Sequence, residues 1–270
     1  QAISYAALAQ AGAASVSAQT GLSILAAAQR AIALMTDGAA TFWYDTRKDS
    51  DGGAWVDKCV SQSMILETLN TETRGATAKY PKSMLLVGRN SATGNPAFTI
   101  YDGSDPTLPM WGVFIGATAN LLGVGSSNNI NGISALNGVI YIAQGGSWGA
   151  TALDLISDTA TNWFVGGREV WTAGGLSTRN AASTSWVVNA AGGYGLASSN
   201  CNSIAATIAP NTPLNPLRCG LPNPTVAVAT ASGVSVIRSD GVVCNTSAAV
   251  AMTSVSFDAL GNLWTARNDA

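Results

Sequence analysis

The sequence predicts a mainly β protein of propeller-like antiparallel meanders, preceded by N-terminal α-helices. Three observations support this fold class. Short apolar runs alternate with turn residues from residue 224 onward, similar hairpins recur earlier, and alanine-rich helical spacing is confined to residues 1–36. Small antiparallel sheets that recur along a chain are typical of a β-propeller, in which they pack face to face around an axis. A β-sandwich of similar hairpins is the alternative fold.

The clearest meander lies in the last part of the sequence. Residues 226–230 and 234–237 form two apolar runs joined by a short turn, and Ser-Asp-Gly at 239–241 returns the chain into a third run. This pattern predicts short antiparallel strands. Residues 255–265 repeat it, with Gly261 and Asn262 at the turn.

Two earlier segments show the same pattern. Asn137 and Gly138 separate a short apolar run from a predicted strand over 139–142. Both residues tolerate the positive φ that a two-residue hairpin turn requires. A fainter copy consists of apolar runs at 83–88 and 97–102. These copies favour repeated β-hairpins through most of the chain.

The first 36 residues differ from the rest and predict two helices. An alanine-rich segment spans 5–19, and Ser23 is a candidate cap for a second helix over 24–35. The helical stripes are narrow and rich in small residues, which suits packing against copies of the same chain or a partner. Packing on its own domain is the alternative. The candidate oligomerisation and attachment residues are Leu8, Ala11, Leu25, Ala28, Ile32 and Met35.

The predicted organisation therefore has two parts. Residues 1–36 form a helical attachment and oligomerisation segment, and residues 37–270 form a β-rich body with a loop-rich part over 157–223. Within this part, the proline-rich stretch 202–224 predicts a stiff connector between domains or blades.

The composition favours a chain that functions within an assembly. Hydrophobic residues make up 47% and charged residues only 10%, so the surface is poor in charge. The alternative is a soluble β protein rich in small residues. A net charge of −2 without a basic run argues against nucleic-acid binding, and no apolar stretch is long enough to span a membrane.

The four cysteines are too few and too scattered for a disulfide scaffold. Cys201 and Cys219 bracket one loop and are a candidate pair, whereas a reducing compartment would keep them as thiols.

The sequence offers little catalytic chemistry. It contains no histidine, only three glutamates and no phosphate-binding glycine loop. Residues 45–57 do not place acidic ligands at EF-hand spacing. We therefore predict no catalytic residue, no cofactor and no metal site. Two converging aspartates in a glycosidase remain an alternative.

Aromatic residues punctuate the segment 157–200. Trp171 and Trp186 have amide and hydroxyl neighbours, so they are candidate stacking surfaces for sugar rings of a host glycan. The alternative is that these tryptophans fill the space between sheets or subunits, as large aromatic side chains do in most folds.

Four motifs together suggest a family. The runs YDTRKDSDGGAW, TIYDGSDPTLPMW, ISALNGVIYIA and PTVAVATASGVSVIRSDG begin at Tyr44, Thr99, Ile133 and Pro224. As a set they resemble virion structural proteins of tailed bacteriophages, especially marine ones, which are regarded as tail-fibre or related fibre components. The resemblance implies a virion protein, a homotrimer, with an N-terminal attachment region and a repetitive β body.

We therefore expect a non-enzymatic, tail-fibre-like component of a phage particle. Its expected partners are its own copies, other virion proteins and a host-surface glycan, with no nucleic acid and no membrane span. The alternatives are a head-fibre, nozzle or adaptor component of the virion and a carbohydrate-binding β-propeller module of a surface or secreted protein.

Overall fold

The computed structural model describes residues 29–34, 36, 40–90, 96–117, 120–122, 129–181, 185–190, 192–246 and 249–267. Within these residues the protein is mainly β and forms four antiparallel sheets, as the sequence predicts. Helical structure there is short: α1 (Trp55–Lys58), three 3-10 turns at Thr46–Lys48, Leu176–Asn180 and Pro216–Arg218, and the N-terminal residues 29–34 and 36.

The sheets follow one another along the chain. Sheet 1 contains β1 (Ala40–Asp45), β2 (Ser83–Gly88), β3 (Pro96–Asp102) and β4 (Met110–Ile115). Sheet 2 contains β5 (Ile130–Leu136), β6 (Val139–Gln144), β7 (Gly149–Asp154), β8 (Thr159–Phe164), β9 (Gly167–Trp171) and β10 (Trp186–Ala190). Sheet 3 contains β11 (Cys201–Thr207), β12 (Thr225–Thr230), β13 (Gly233–Ile237) and β14 (Val243–Asn245), and sheet 4 contains β15 (Met252–Phe257) and β16 (Leu263–Arg267).

Each sheet is a meander in which strands pair in sequence order. Consecutive sheets pack through their first strands: β1 lies against β5, β5 against β11, and β11 against β15. The first strand of every sheet therefore lies on the same side of the stack.

Apolar side chains fill the spaces between these sheets. The largest cluster joins sheets 1 and 2, and a second cluster joins sheets 2 and 3. Strand β6 contributes to both, because successive side chains of a strand point to opposite faces. Ile140 and Ile142 belong to the first cluster, whereas Tyr141 and Ala143 belong to the second.

The turn predicted at Asn137 and Gly138 is confirmed. Both residues have positive φ, at 52° and 73°, and Leu136 pairs directly with Val139 across the two-residue loop. The connection between β15 and β16 is longer, because Phe257 pairs with Leu263, and Gly261 supplies the positive φ there.

The N-terminal segment is described only at residues 29–34 and 36, which are helical. Ala31 and Leu34 pack on an apolar cluster of sheet 1 that includes Leu85 and Tyr101. Ile32, a predicted attachment residue, is 64% exposed. The other predicted attachment residues, Leu8, Ala11, Leu25, Ala28 and Met35, lie outside the described residues.

The part expected to be rich in loops contains β8, β9, β10 and β11. The proline-rich stretch 202–224 is not a connector between sheets. It contains most of β11 and joins β11 to its hairpin partner β12 within sheet 3. Its prolines serve local turns instead, as where Pro216 begins a 3-10 helix capped by the Asn215 side chain.

Candidate functional site

A cleft of about 310 Å³ lies between sheets 2 and 3. This volume is at the lower end of the range typical of ligand sites. One wall is a face of sheet 2, the other is formed by β12, β13 and the turn after β13, and the loop before β12 contributes Asn215, Leu217 and Arg218. Its residues on sheet 2 are Val139, Tyr141, Ala152, Asp154, Thr159, Thr161 and Trp163, together with Arg168 of β9.

Strand register explains the hollow shape of this wall. Tyr141 of β6 pairs with Ala152 of β7, which pairs with Thr161 of β8. In the next row on the same face, Trp163 pairs with Arg168 of β9. Small side chains therefore lie between larger ones, and the sheet leaves a depression where Ala152 and Thr161 stand.

Tyr141 is buried to 6% exposure in the wall of the cleft. No described residue forms a hydrogen bond with its hydroxyl group. Burial raises the pKa of this hydroxyl, a shift that Arg218 opposes and Asp154 supports, so the group is neutral at physiological pH. A neutral phenol can both donate and accept a hydrogen bond.

Arg218 is fixed at the loop end of the cleft by three different acceptors. Its Nε donates to Asp154 Oδ2 at 2.8 Å, one terminal nitrogen donates to Asn223 Oδ1 at 3.1 Å, and the other donates to the Asn137 carbonyl at 2.5 Å. The side chain is only 5% exposed. Arg218 therefore serves the scaffold of the cleft.

Behind Arg218 lies a buried network that we call the sheet joint, formed by Tyr44, Asp49, Ser50, Asn137 and Pro222. Asp49 accepts hydrogen bonds from the Tyr44 hydroxyl at 2.6 Å, the Trp55 indole at 2.7 Å and the Asn137 amide at 2.7 Å. The Asn137 side chain accepts from Ser50 N and donates to Ser50 Oγ and the Pro222 carbonyl. The joint thus connects sheet 1, the β5–β6 turn and the loop before β12.

Arg168 differs from the other arginines that line the cleft. Its Nε donates to Asn189 Oδ1 at 2.9 Å, and its guanidinium lies 4.6 Å from the centre of the Tyr194 ring. Within the part of the chain that the structure describes, no carboxylate pairs with it. Arg238, by contrast, pairs with Asp240 at 3.0 Å.

Trp163 and Gly241 connect the two walls. The Trp163 indole donates to the Gly241 carbonyl at 3.3 Å. A Cβ atom at position 241 would lie 2.9 Å from a terminal nitrogen of Arg168, and Gly241 has φ +85°. The glycine therefore permits the turn after β13 to approach Arg168 closely.

This arrangement is suited to binding rather than to acid–base chemistry. Both carboxylates that line the cleft, those of Asp154 and Asp240, pair with an arginine. Among the described residues, no group of three or more histidine, cysteine, aspartate or glutamate side chains could hold a metal ion. None of the helices in that part of the chain is long and apolar enough to cross a membrane.

The predicted glycan contacts lie elsewhere. Trp171 is 5% exposed and belongs to the cluster between sheets 1 and 2, where its indole donates to Thr178 Oγ1 at 2.9 Å. Trp186 is half-buried and packs edge-on against both Trp171 and Trp148. In this conformation Trp171 has almost no surface for a sugar, so the alternative of space filling describes it better. The glycan role of Trp186 stays a prediction.

None of the residues predicted as attachment or glycan contacts lines the cleft. Of the aspartates considered for a glycosidase, Asp154 and Asp240 line it, and each pairs with an arginine. Sequence reasoning assigned Tyr141 to a strand but gave no reason to choose it over its neighbours. Arg168 and Arg218 lie far apart along the chain, and their shared location depends on how sheets 2 and 3 pack. Arg218 is the one arginine within the proline-rich stretch 202–224, and this was the only sequence feature that could have drawn attention to it.

All four cysteines are free thiols. Cys201 and Cys219 are not paired: Cys201 is buried between sheets 2 and 3, whereas Cys219 is exposed and lies beside Cys59. Burial raises the pKa of Cys59 to about 12, and the neighbouring Cys219 contributes to the rise. Burial alone raises the pKa of Cys201 to about 12.

Comparisons with known proteins leave the family open. No protein-family model matches the sequence, and no curated protein matches it. Among solved structures, the chain is similar to BBS1N, crystallised in complex with ARL6DN and soaked with lead, at 10% identity and a TM-score of 0.31. That match covers 68% of this chain and 56% of the other.

A second similar structure is the extracellular domain of BT4673 from B. thetaiotaomicron, at 11% identity and a TM-score of 0.23. That match covers 68% of this chain and 31% of the other, so this chain spans about half or less of the length of both structures. Neither likeness is close enough to bear on the function of this protein.

Proposed function

We propose that this protein is a non-enzymatic structural component of a phage particle, of the tail-fibre type. In this proposal the N-terminal helices attach a homotrimer to the virion, and the β body takes part in host attachment. The ordered β meanders and the sheet joint support the proposal, together with the sequence resemblance to virion proteins.

The main support for this proposal is that the motifs with the phage resemblance contact one another in the structure. Asp49 belongs to the first motif, Asn137 belongs to the third, and their hydrogen bond of 2.7 Å lies at the centre of the sheet joint. Asn137 also binds the carbonyl of Pro222, two residues before the fourth motif begins. Motifs that are distant in sequence thus form one buried scaffold.

We further propose that the sheets are successive blades of a propeller-like body. The support is the packing of β1 on β5, β5 on β11 and β11 on β15. In a propeller, the first strands of neighbouring blades lie side by side around the axis. A β-sandwich would instead pack two sheets face to face with strands from both ends of the chain.

The proposed attachment surface is the helical stripe that includes Ile32. The segment packs on sheet 1 through Ala31 and Leu34, which leaves Ile32 facing away from the β body. Burying such apolar surface between copies would contribute roughly 25 cal/mol per Å². Because the chain has few charges, we expect this association to be insensitive to salt.

The first test is oligomeric state. Sedimentation velocity should show a trimer of the full chain at both low and high salt, and Ile32→Glu should dissociate it. Ala33→Glu is the matched control, because Ala33 is exposed in the same helical segment but lies off the stripe. A monomeric wild type, or equal behaviour of the two variants, would contradict the attachment role.

The second test is location. Antibodies raised against the β body should label intact phage particles of the source virus in electron micrographs. Failure to label particles, or turnover of host polysaccharide by the purified chain, would argue against a structural virion role.

A second candidate function is a carbohydrate-binding propeller module of a surface or secreted protein. The cleft between sheets 2 and 3 favours it, because binding there needs no virion partner. A monomer that binds sugar and is absent from particles would support this alternative.

A further inference from the structure

We propose that the cleft between sheets 2 and 3 binds a carboxylate-bearing sugar unit, with Arg168 holding the carboxylate and Tyr141 a ring hydroxyl. This inference rests on the proposed function for its biological role, since it names the kind of host glycan that the β body would recognise. The site does not include Trp171 or Trp186.

We propose a carboxylate on the ligand because of the hydrogen-bond and ion-pair partners that Arg168 has and lacks. Arg218 and Arg238, the other arginines of the cleft, each have an aspartate partner, whereas Arg168 has none among the described residues. Asn189 and the Tyr194 ring hold its guanidinium in place and leave its terminal nitrogens without a hydrogen-bond partner there. A positioned guanidinium fork matches the two oxygens of a carboxylate.

Tyr141 is the reason for proposing that the ligand also bears a hydroxyl group. The Tyr141 side chain is only 6% exposed, and its hydroxyl has no hydrogen-bond partner in the part of the chain that the structure describes. The hydroxyl oxygen is not one of the fully buried, unpartnered polar atoms, so it opens onto the cleft. There it can exchange a hydrogen bond with a ligand hydroxyl.

Tyr141 and Arg168 lie on the same wall of the cleft. Tyr141 is on β6 and Arg168 is on β9, three strand spacings apart and two residues further along, or roughly 16 Å between backbones. Both side chains belong to the same face of sheet 2, with Ala152 and Thr161 between them. A ligand that contacts both residues would therefore extend along this wall over Ala152 and Thr161.

The opposite wall provides apolar surface. Val226 and Ile237 line it, with 1% and 3% of their surface exposed. Ligand sites commonly combine an apolar lining with a few placed polar groups.

The test is binding of D-glucuronate and of D-glucose, its neutral counterpart, to the full chain by isothermal titration calorimetry. We expect the wild type to bind glucuronate at least tenfold more tightly than glucose. Arg168→Gln should remove this preference, and Arg168→Lys should retain only part of it because the fork is lost. Tyr141→Phe should weaken binding of both sugars several-fold.

Arg47→Gln is the control, because Arg47 is an exposed arginine in the 3-10 turn after β1 and lies outside the cleft. It should bind glucuronate as the wild type does. Circular dichroism and thermal unfolding establish that each variant is folded. Tyr141→Phe should fold normally, since the hydroxyl it removes has no described partner.

Three outcomes would overturn the inference: no glucuronate binding at millimolar concentration, equal binding of the two sugars, or unchanged glucuronate binding by folded Arg168→Gln. These outcomes concern the isolated chain. Labelling of phage particles tests the virion role independently, so failure of one proposal is distinguishable from failure of the other.

Discussion

The sheet joint and the cleft both include residues of the β5–β6 hairpin, but they differ in how the polar groups of these residues are hydrogen-bonded. Asn137 in the joint is fully buried, and both its side chain and its backbone are hydrogen-bonded to described residues. Tyr141, four residues later, is almost as buried, and no described residue pairs with its hydroxyl. A buried polar group with all its partners stabilises the fold, whereas a hydroxyl that opens onto a cleft can bind a ligand there. Arg218 contacts both regions, so it offers the strongest test of this difference.

The largest expected effect is that of Arg218→Ala. The substitution leaves Asp154 without its partner and removes a donor from the Asn137 carbonyl. We expect the free energy of unfolding to fall by about 4 kcal/mol, as is typical when one member of a buried ion pair is lost. Urea denaturation measures this loss.

Arg238→Ala is the matched control for Arg218→Ala, because it breaks an arginine–aspartate pair at the same cleft whose side chains are 58% and 49% exposed. Exposed ion pairs contribute little, so its loss should stay below about 1 kcal/mol. Equal losses for the two variants would show that the buried pair has no special role in the scaffold.

A smaller effect is expected for Asn137→Gly. Glycine accepts the φ of 52° at this position, so the turn is kept while three side-chain hydrogen bonds are lost. We expect a loss of about 3 kcal/mol in the free energy of unfolding, at about 1 kcal/mol per bond. Asn211→Gly controls for backbone entropy, because Asn211 also has positive φ, at 62°, but is exposed. A similar loss in both variants would refute the role of the joint.

The smallest effect is the pH dependence of two carboxylates that both accept several hydrogen bonds. Burial raises the pKa of Asp49 above its ordinary 3.8. Asp258 is exposed, and hydrogen bonds from Asn262 and its neighbours lower its pKa to about 2. The carboxyl ¹³C shifts should therefore titrate above 3.8 for Asp49 and near 2 for Asp258.

The two shifts act on stability with opposite sign. Folded Asp49 holds a proton that the unfolded chain releases, so its contribution falls as pH rises from 3.8 through its folded pKa. The contribution of Asp258 is present above 3.8 and is lost as pH falls toward 2. Titration of Asp49 below 3.8 would mean that the hydrogen bonds from Tyr44, Trp55 and Asn137 outweigh the effect of burial on its pKa.

Much of the fold was predictable because local signals decide it. The paired positive-φ residues Asn137 and Gly138 specify a two-residue turn, and the alternation around 226–237 specifies the β12–β13 hairpin. The strands in the part expected to be rich in loops were not predictable in this way. Strands such as Thr159–Phe164 and Cys201–Thr207 contain many small and polar residues, so their pairing depends on neighbouring strands.

The cleft could not be predicted, because its residues share no sequence pattern. Arg168 resembles any other strand arginine until the turn at Gly241 is placed beside it. Tyr141 resembles a core residue of β6 until its hydroxyl is found without a described partner. In the same way, Cys219 is a neighbour of Cys59 and not of Cys201, although the sequence separation favours the latter.

The sequence by itself determined the β class of this protein, its antiparallel hairpins and its scarcity of charge, because turn chemistry and side-chain alternation act over a few residues. Only the tertiary structure decided how the sheets pack, which cysteines lie together and which arginine lacks a described carboxylate partner. Those features depend on contacts between residues that are tens to more than a hundred positions apart, and no local pattern encodes such contacts.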